Sequence, residues 1–205
     1  GAATLVANFI RLRDEGFVPD RDLVMVLSGD EETEGAHIDW LVNERRDLVD
    51  SAFALNTDAG GGLYDDNDEP QAFYVQTAEK VYQSFRLTAT NPGGHSSVPR
   101  PDNAIYDLSR ALVRIAEHSF PVQLNETTRA SLRDSAARRP GPIGDAMRAA
   151  ADGDLEAAAR VAASDPYLNA TLRTTCVATR LDSGVADNAL PRAATAVVNC
   201  ALMPK

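Results

Sequence analysis

The run Leu23-Val24-Met25-Val26-Leu27-Ser28, followed at once by Gly29-Asp30-Glu31-Glu32-Thr33-Glu34-Gly35, constrains the fold more than any other part of the chain. A continuous apolar run of this length, without polar alternation, has the pattern of a parallel strand covered on both faces. Carboxylates directly after it stand at the strand's carboxyl end, where open α/β sheets collect their ligands. The stretch over about 36–49 predicts a helix with Ile38, Leu41, Val42, Leu48 and Val49 on its buried side. Ser51-Ala52-Phe53-Ala54-Leu55-Asn56 then reads as a second short strand, and Thr57-Asp58-Ala59-Gly60-Gly61-Gly62 as the loop after it. With a further helix predicted over 3–13, the order helix, strand, helix, strand is that of a parallel α/β sheet.

The character changes after Asp65-Asp66-Asn67-Asp68-Glu69-Pro70. Strands are predicted at roughly 72–78 and 81–90, then a helix at about 102–117 carrying Ile105, Leu108, Leu112 and Ile115. Short helices are expected around 127–137, 143–151 and 154–163, separated by Pro140-Gly141-Pro142 and Asp152-Gly153. Two final strands, about 171–181 and 193–202, flank Asp182-Ser183-Gly184 and Asn188-Ala189-Leu190-Pro191. The expected organisation is a partial α/β domain over 1–78, then an α+β domain over 79–205 with a helical insertion around 120–170. A helix at the start and a bare strand at the end read as cut from something larger.

The 205 residues, 44% hydrophobic and 24% charged, suffice for a globular core. A formal net charge of −10 argues against a nucleic-acid partner, whereas clustered carboxylates suit divalent metals. Two cysteines exclude both a disulfide scaffold and a Cys-rich zinc site. Cys176 and Cys200 flank a predicted turn and are near enough to be neighbours, but the expectation is two buried free thiols. No apolar run approaches the roughly 20 residues of a membrane span, and the opening residues have no charged region of a signal peptide. Eighteen arginines against two lysines fit a GC-rich bacterial source and leave cytoplasm and periplasm equally open.

Adjacent carboxylates divide labour well: one ligates a metal while the other takes a proton from a metal-acidified water. The rival reading is a helix N-terminus decorated with acids, which the helix dipole favours. Asp58, again at a predicted strand's carboxyl end, adds a second hard oxygen ligand for a dinuclear site. Gly60-Gly61-Gly62 resembles a phosphate cradle only weakly, since no Lys-Ser/Thr follows. His37 and His118 fall at expected helix ends, whereas His95 sits in Gly93-Gly94-His95-Ser96-Ser97 between Pro92 and Pro99, an exposed and stiffened loop. Ser96 and Ser97 lack the strand-elbow-helix setting of a serine nucleophile.

Taken in order, Asp30-Glu31-Glu32, Asn56-Thr57-Asp58-Ala59-Gly60-Gly61, Gly93-Gly94-His95-Ser96-Ser97-Val98-Pro99 and Asn188-Ala189-Leu190-Pro191 resemble the motifs of M20-family metallopeptidases, as does the closing strand with Asn199-Cys200 ahead of Pro204. The resemblance implies part of a three-layer α/β zinc-peptidase domain followed by a ferredoxin-like lid and dimerisation domain. It implies Glu31 as general base, Glu32 and Asp58 as ligands of two zinc ions, and His95 as an oxyanion stabiliser reaching into a partner subunit. Asn188 would contact substrate, a peptide or an N-acyl amino acid, and the lid would form a homodimer. Aspartate at position 58 leans toward substrates with a free amino terminus, and Ala201 stands where similar chains carry an arginine for the substrate carboxylate. A His-x-Asp pair is expected before residue 1 and a last zinc-binding histidine after residue 205, so the chain alone is expected to be inactive and without tight metal binding. The competing class is a non-catalytic dimerisation module of the same fold; a third reading is a serine hydrolase using Ser96 or Ser97.

Overall fold

The computed structural model describes residues 1–33 and 35–204, which divide into two compact units, Gly1–Gln76 and Thr77–Lys205. Glu34 of the acidic run and Lys205 of the closing segment lie outside the described residues. The chain mixes helices with antiparallel strands, in keeping with the mixed α/β class. None of its described helices is long and apolar enough to cross a membrane.

The first unit contains α1 (Ala2–Asp14), α2 (Ala36–Glu44), a short 3-10 turn at Arg46–Leu48, and the strands β1 (Gly61–Tyr64) and β2 (Pro70–Tyr74). β1 and β2 form an antiparallel hairpin. Asp65 closes its turn, one carboxylate oxygen accepting from the backbone N–H groups of Asn67 and Glu69. α1 falls where the periodicity places it, whereas α2 stops at Glu44, short of the predicted limit near 49, and Leu48 lies exposed in the 3-10 turn. The two predicted parallel strands do not form: residues 23–28 and 51–56 pair with no strand among the described residues. Val24 and Leu27 are 59% and 58% exposed, and Ile38 and Val42 on the expected inner side of α2 are exposed too. The reason is physical. A parallel strand has no local partner, so its apolar faces are buried only when neighbouring strands and covering helices arrive from elsewhere.

The second unit opens on β3 (Val81–Thr90) and β4 (Gly94–His95), then α3 (Ala104–Glu117). The helical insertion follows as α4 (Glu126–Arg138), α5 (Pro142–Asp152), α6 (Leu155–Ser164) and α7 (Pro166–Leu172). β5 (Thr175–Ser183), β6 (Ala189–Leu190) and β7 (Ala193–Leu202) complete it. β7 lies between β3 and β5, antiparallel to both. Strand, helix, strand, strand in the spatial order first-third-second is the split β-α-β arrangement with which a ferredoxin-like fold begins. α3 is held at its start by Asn103, whose side chain accepts from Ile105 N–H. It lays Ala104 and Leu108 on Leu87, Ala89, Ala194 and Ala196 of the sheet. Ile105, expected on that face, is 39% exposed; the buried stripe runs through 104 and 108 instead.

The insertion has its own core. Leu132, Met147, Val161 and Leu172 pack with small alanines of α4, α5 and α6, which allow the helices to approach closely. Gly144 is obligatory here, because a Cβ would stand 1.7 Å from the Arg139 carbonyl oxygen. Side-chain caps start the helices: Asn125 and Thr128 form a capping box, and Asp154 and Asp165 accept from the first backbone N–H groups of α6 and α7. At the other end of α5, Arg129 and Arg133 both donate to the Ala151 carbonyl, where the helix carries its partial negative charge. Lys80 ties the insertion to the start of β3. Its ammonium donates to the carbonyls of Ala170 and Arg173 and to Thr175 Oγ1, and burial pulls its pKa below the ordinary lysine value.

The cysteines correct an expectation. Cys176 of β5 stands opposite Cys200 of β7 in the register, so both side chains leave the same face of the sheet and are joined by an S–S bond of 2.08 Å. They are not free thiols.

Candidate functional site

The candidate residues fall into two groups, one in each unit. In the first, the chain turns at residues 30–33 ahead of α2. Asp30 carries that turn: it adopts φ 59°, its carbonyl accepts from Thr33 and Gly35 N–H, and its carboxylate accepts from Ala36 and His37 N–H at the open end of the helix. His37 closes the arrangement from the other side, Nδ1 accepting from Gly29 N–H at 3.2 Å. One acid of the run is therefore spent on structure, in the way helix N-termini favour. Glu31 and Glu32 stand exposed on the turn, with no hydrogen bond or ion pair among the described residues. Asp58 is also exposed, its N–H donating to Asn56 Oδ1 at 3.1 Å in a tight bend.

A catalytic zinc ion takes three protein ligands and a structural one four. Among the described residues, no three His, Cys, Asp or Glu side chains come close enough to share a metal ion. Glu32 and Asp58 carry the hard oxygen donors that a divalent ion takes, and both are exposed.

In the second unit the segments that carry the two candidates pair with each other. His95 lies on β4 and Asn188 immediately before β6, and the strands pair Gly94 with Leu190 and His95 with Ala189. Ser96 N–H donates to the Asn188 carbonyl at 2.9 Å and extends the ladder by one rung. The ladder joins two segments some 90 residues apart, with His95 opposite Ala189 and Asn188 opposite Ser96 one rung on, so strand alternation sends the His95 and Asn188 side chains to opposite faces; both residues are exposed. Neither His95 Nε2 nor the Asn188 amide has a partner among the described residues. Nδ1 of His95 is engaged within its own loop, at 2.8 Å from Ser97 Oγ and 3.2 Å from Ser97 N.

The loop is braced from behind by residues that motif reading passed over. Asn91, 9% exposed, accepts from Gly93 N–H through Oδ1 and donates from Nδ2 to both the carbonyl and the carboxylate of Asp102. Its own N–H donates to the Arg192 carbonyl, tying the loop to the start of β7. Gly93, at φ 82°, sits where a Cβ would press within 3.0 Å of the Arg192 side chain, so both conformation and space favour glycine. The signal was present in Asn91-Pro92-Gly93, since asparagine before Pro-Gly commonly folds its side chain back on the backbone two residues on.

Arg100 donates to Asp102 and holds its carboxyl below the usual carboxylate range, with the Asn91 amide adding to the same effect. A carboxylate whose folded pKa is depressed adds stability above its unfolded pKa and loses it as pH falls through the lower folded value. The His95 loop is therefore expected to keep its structure as pH drops through the ordinary aspartate range near about 4, and to loosen only below it. Amide chemical shifts of Asn91, Gly93 and Gly94 followed during acid titration check this; a transition centred at the ordinary value would show that the brace does not depend on the Arg100 pair.

A peptidase dimerisation domain family matches residues 77–205. The chain belongs to the M20 peptidase family. The matched region is the second unit, so the β4–β6 ladder with His95 and Asn188 lies inside an M20 dimerisation domain. The N-fatty-acyl-amino acid synthase/hydrolase of Homo sapiens is 27% identical over 195 residues, covering 92% of this chain and 38% of that protein. A putative carboxypeptidase of Saccharomyces cerevisiae is 28% identical over 201 residues, 92% of this chain and 34% of the relative. Carboxypeptidase S of the same yeast is 31% identical over 116 residues, 53% of this chain and 20% of the relative. The chain spans little more than a third of the length of the curated M20 relatives it matches across most of its residues.

Proposed function

We propose that the complete protein carrying this chain is a zinc-dependent M20 exopeptidase or amidohydrolase that acts as a homodimer through its dimerisation domain. The observation that supports the reading most is the match to an M20 dimerisation domain, within which the β4–β6 ladder holds an exposed imidazole whose Nε2 has no partner among the described residues. A ring N–H and an amide are suited to a polarised carbonyl oxygen and to a substrate's polar backbone. In this reading Glu31 takes a proton from the attacking water and returns it to the leaving amine. Glu32 and Asp58 serve as oxygen ligands of two zinc ions whose remaining ligands lie outside this chain. His95 donates to the developing oxyanion in the partner's active site, and Asn188 holds the substrate.

The relatives' names, an N-fatty-acyl-amino acid synthase/hydrolase and carboxypeptidases, favour an N-acyl amino acid or a carboxyl-terminal peptide bond over the free-amino-terminus lean of Asp58. The Cys176–Cys200 bond supports maturation in an oxidising compartment, which in a bacterium is the periplasm. A second reading, a non-catalytic dimerisation module, draws support from the contrast between the two units: the second has buried cores while no described residue of Gly1–Gln76 is buried.

Hydrolysis of a panel of N-acyl amino acids and short peptides by the complete gene product decides between them. The expected result is turnover that a chelator abolishes and added zinc restores, with none from the 205-residue chain alone. Absence of turnover on the whole panel, together with absence of bound zinc, would leave the module reading in place.

A further inference from the structure

We infer that Ser97 is a positioning residue that locks His95 in the tautomer with its proton on Nε2, so that the lid offers one fixed N–H donor to the substrate. What that donor does rests on the hydrolase reading above; the tautomer itself does not.

Two donors converge on one ring nitrogen. Ser97 N–H donates to His95 Nδ1 at 3.2 Å, and Ser97 Oγ lies 2.8 Å from the same atom. A backbone N–H has no acceptor capacity, so this bond requires a lone pair on Nδ1. A proton on Nδ1 would face the amide proton directly and leave that amide without an acceptor. With Nδ1 bare, the hydroxyl turns to donate as well, and the neutral ring carries its hydrogen on Nε2.

The surrounding turn fixes the ring's setting. Ser96 N–H is taken by the Asn188 carbonyl at 2.9 Å and Val98 N–H by the His95 carbonyl at 3.0 Å. The consecutive amides of Ser96, Ser97 and Val98 are thus all satisfied, and two of their three acceptors belong to His95. Nε2 is the ring nitrogen that remains open, with no partner among the described residues. In this state the imidazole supplies a hydrogen bond and no proton leaves it. The same geometry separates Ser97 from a serine nucleophile: its histidine would need a third group orienting the far nitrogen, and none of the described residues does so.

Nuclear magnetic resonance of the ¹⁵N-labelled chain at neutral pH tests the tautomer without any turnover. His95 Nδ1 is expected to resonate as an unprotonated nitrogen and to show scalar coupling across the hydrogen bond to the Ser97 amide nitrogen. In the complete gene product, Ser97→Ala is expected to lower kcat by roughly 3- to 10-fold with KM unchanged, the worth of one neutral hydrogen bond, and Ser97→Thr to restore it. A proton on Nδ1, or no coupling to the Ser97 amide, overturns the inference. So does complete loss of turnover in Ser97→Ala together with covalent labelling of Ser97 by a fluorophosphonate, which would make it the nucleophile. A wild-type gene product that hydrolyses nothing sinks the hydrolase reading instead, and the resonance signature still decides the tautomer.

Discussion

Glu31→Gln in the complete gene product is expected to lower kcat by about 10²- to 10⁴-fold, the range a positioned general acid–base supplies. The structure makes this a clean experiment. Asp30 does the structural work of the turn, accepting from both Ala36 and His37 N–H, while Glu31 makes no hydrogen bond or ion pair among the described residues. Glutamine keeps the shape of the side chain and removes only its basicity, so stability is expected to stay within about 0.5 kcal/mol of wild type. KM should change little, since the lost group acts on the proton rather than on substrate binding. Steady-state kinetics with a thermal melt on the same samples separates the effects. A variant that keeps most of its kcat removes Glu31 from the mechanism; one that loses activity and melts early says that the turn, not the base, was damaged.

The second large effect concerns the dimerisation domain. Reduction, or the double change Cys176→Ser and Cys200→Ser, is expected to destabilise the unit Thr77–Lys205. The bond closes a loop with a sequence separation of 24 residues, spanning the whole β5–β7 connection and the β6 rung inside it. Loop-closure entropy for that length is worth about 3.5 kcal/mol at 25 °C. For a domain of this size that is a fall in Tm of roughly 10–15 °C. Packing should change little, because Cys200 already faces the interior and the β3–β7 pairing does not depend on it. Calorimetry with and without reductant, paired with thiol counting of the unfolded protein, reads both the bond and its contribution. Two titratable thiols in the oxidised sample and an unmoved Tm would show the sulfurs to be unpaired, and with them would go the argument for an oxidising compartment.

Much of the second unit was legible before any coordinates. Leu108 and Leu112 repeat at helical spacing over α3, Pro140-Gly141-Pro142 and Asp152-Gly153 mark the breaks around α5, and β3 and β7 begin and end close to the predicted limits. α7 was not read, although Asp165 ahead of Pro166 is the sequence of a capped helix start. The first unit shows the opposite case. Residues 23–28 have the composition of a buried strand, but composition does not bring the neighbours that bury it. At the candidate site, motif order singled out His95 and Asn188, yet nothing in either motif said that their segments pair as β4 and β6 or that Asn91 and Asp102 stiffen the His95 loop.

The strand and acidic run at 23–35 show where the division lies. The sequence by itself determined which carboxylates, imidazole and carboxamide are present, which helices and turns surround them, and that the chain is M20-like. These depend on side-chain period, caps and turn residues within a few positions of one another. Only the tertiary structure decided that the Asp30 carboxylate accepts from the first N–H groups of α2, that Cys176 meets Cys200, and that Ser97 claims one nitrogen of His95. Each of these is a matter of register or of hydrogen-bond direction. A one-residue slip of β4 on β6 or of β5 on β7 would leave every local preference intact and send the same side chains to the opposite face.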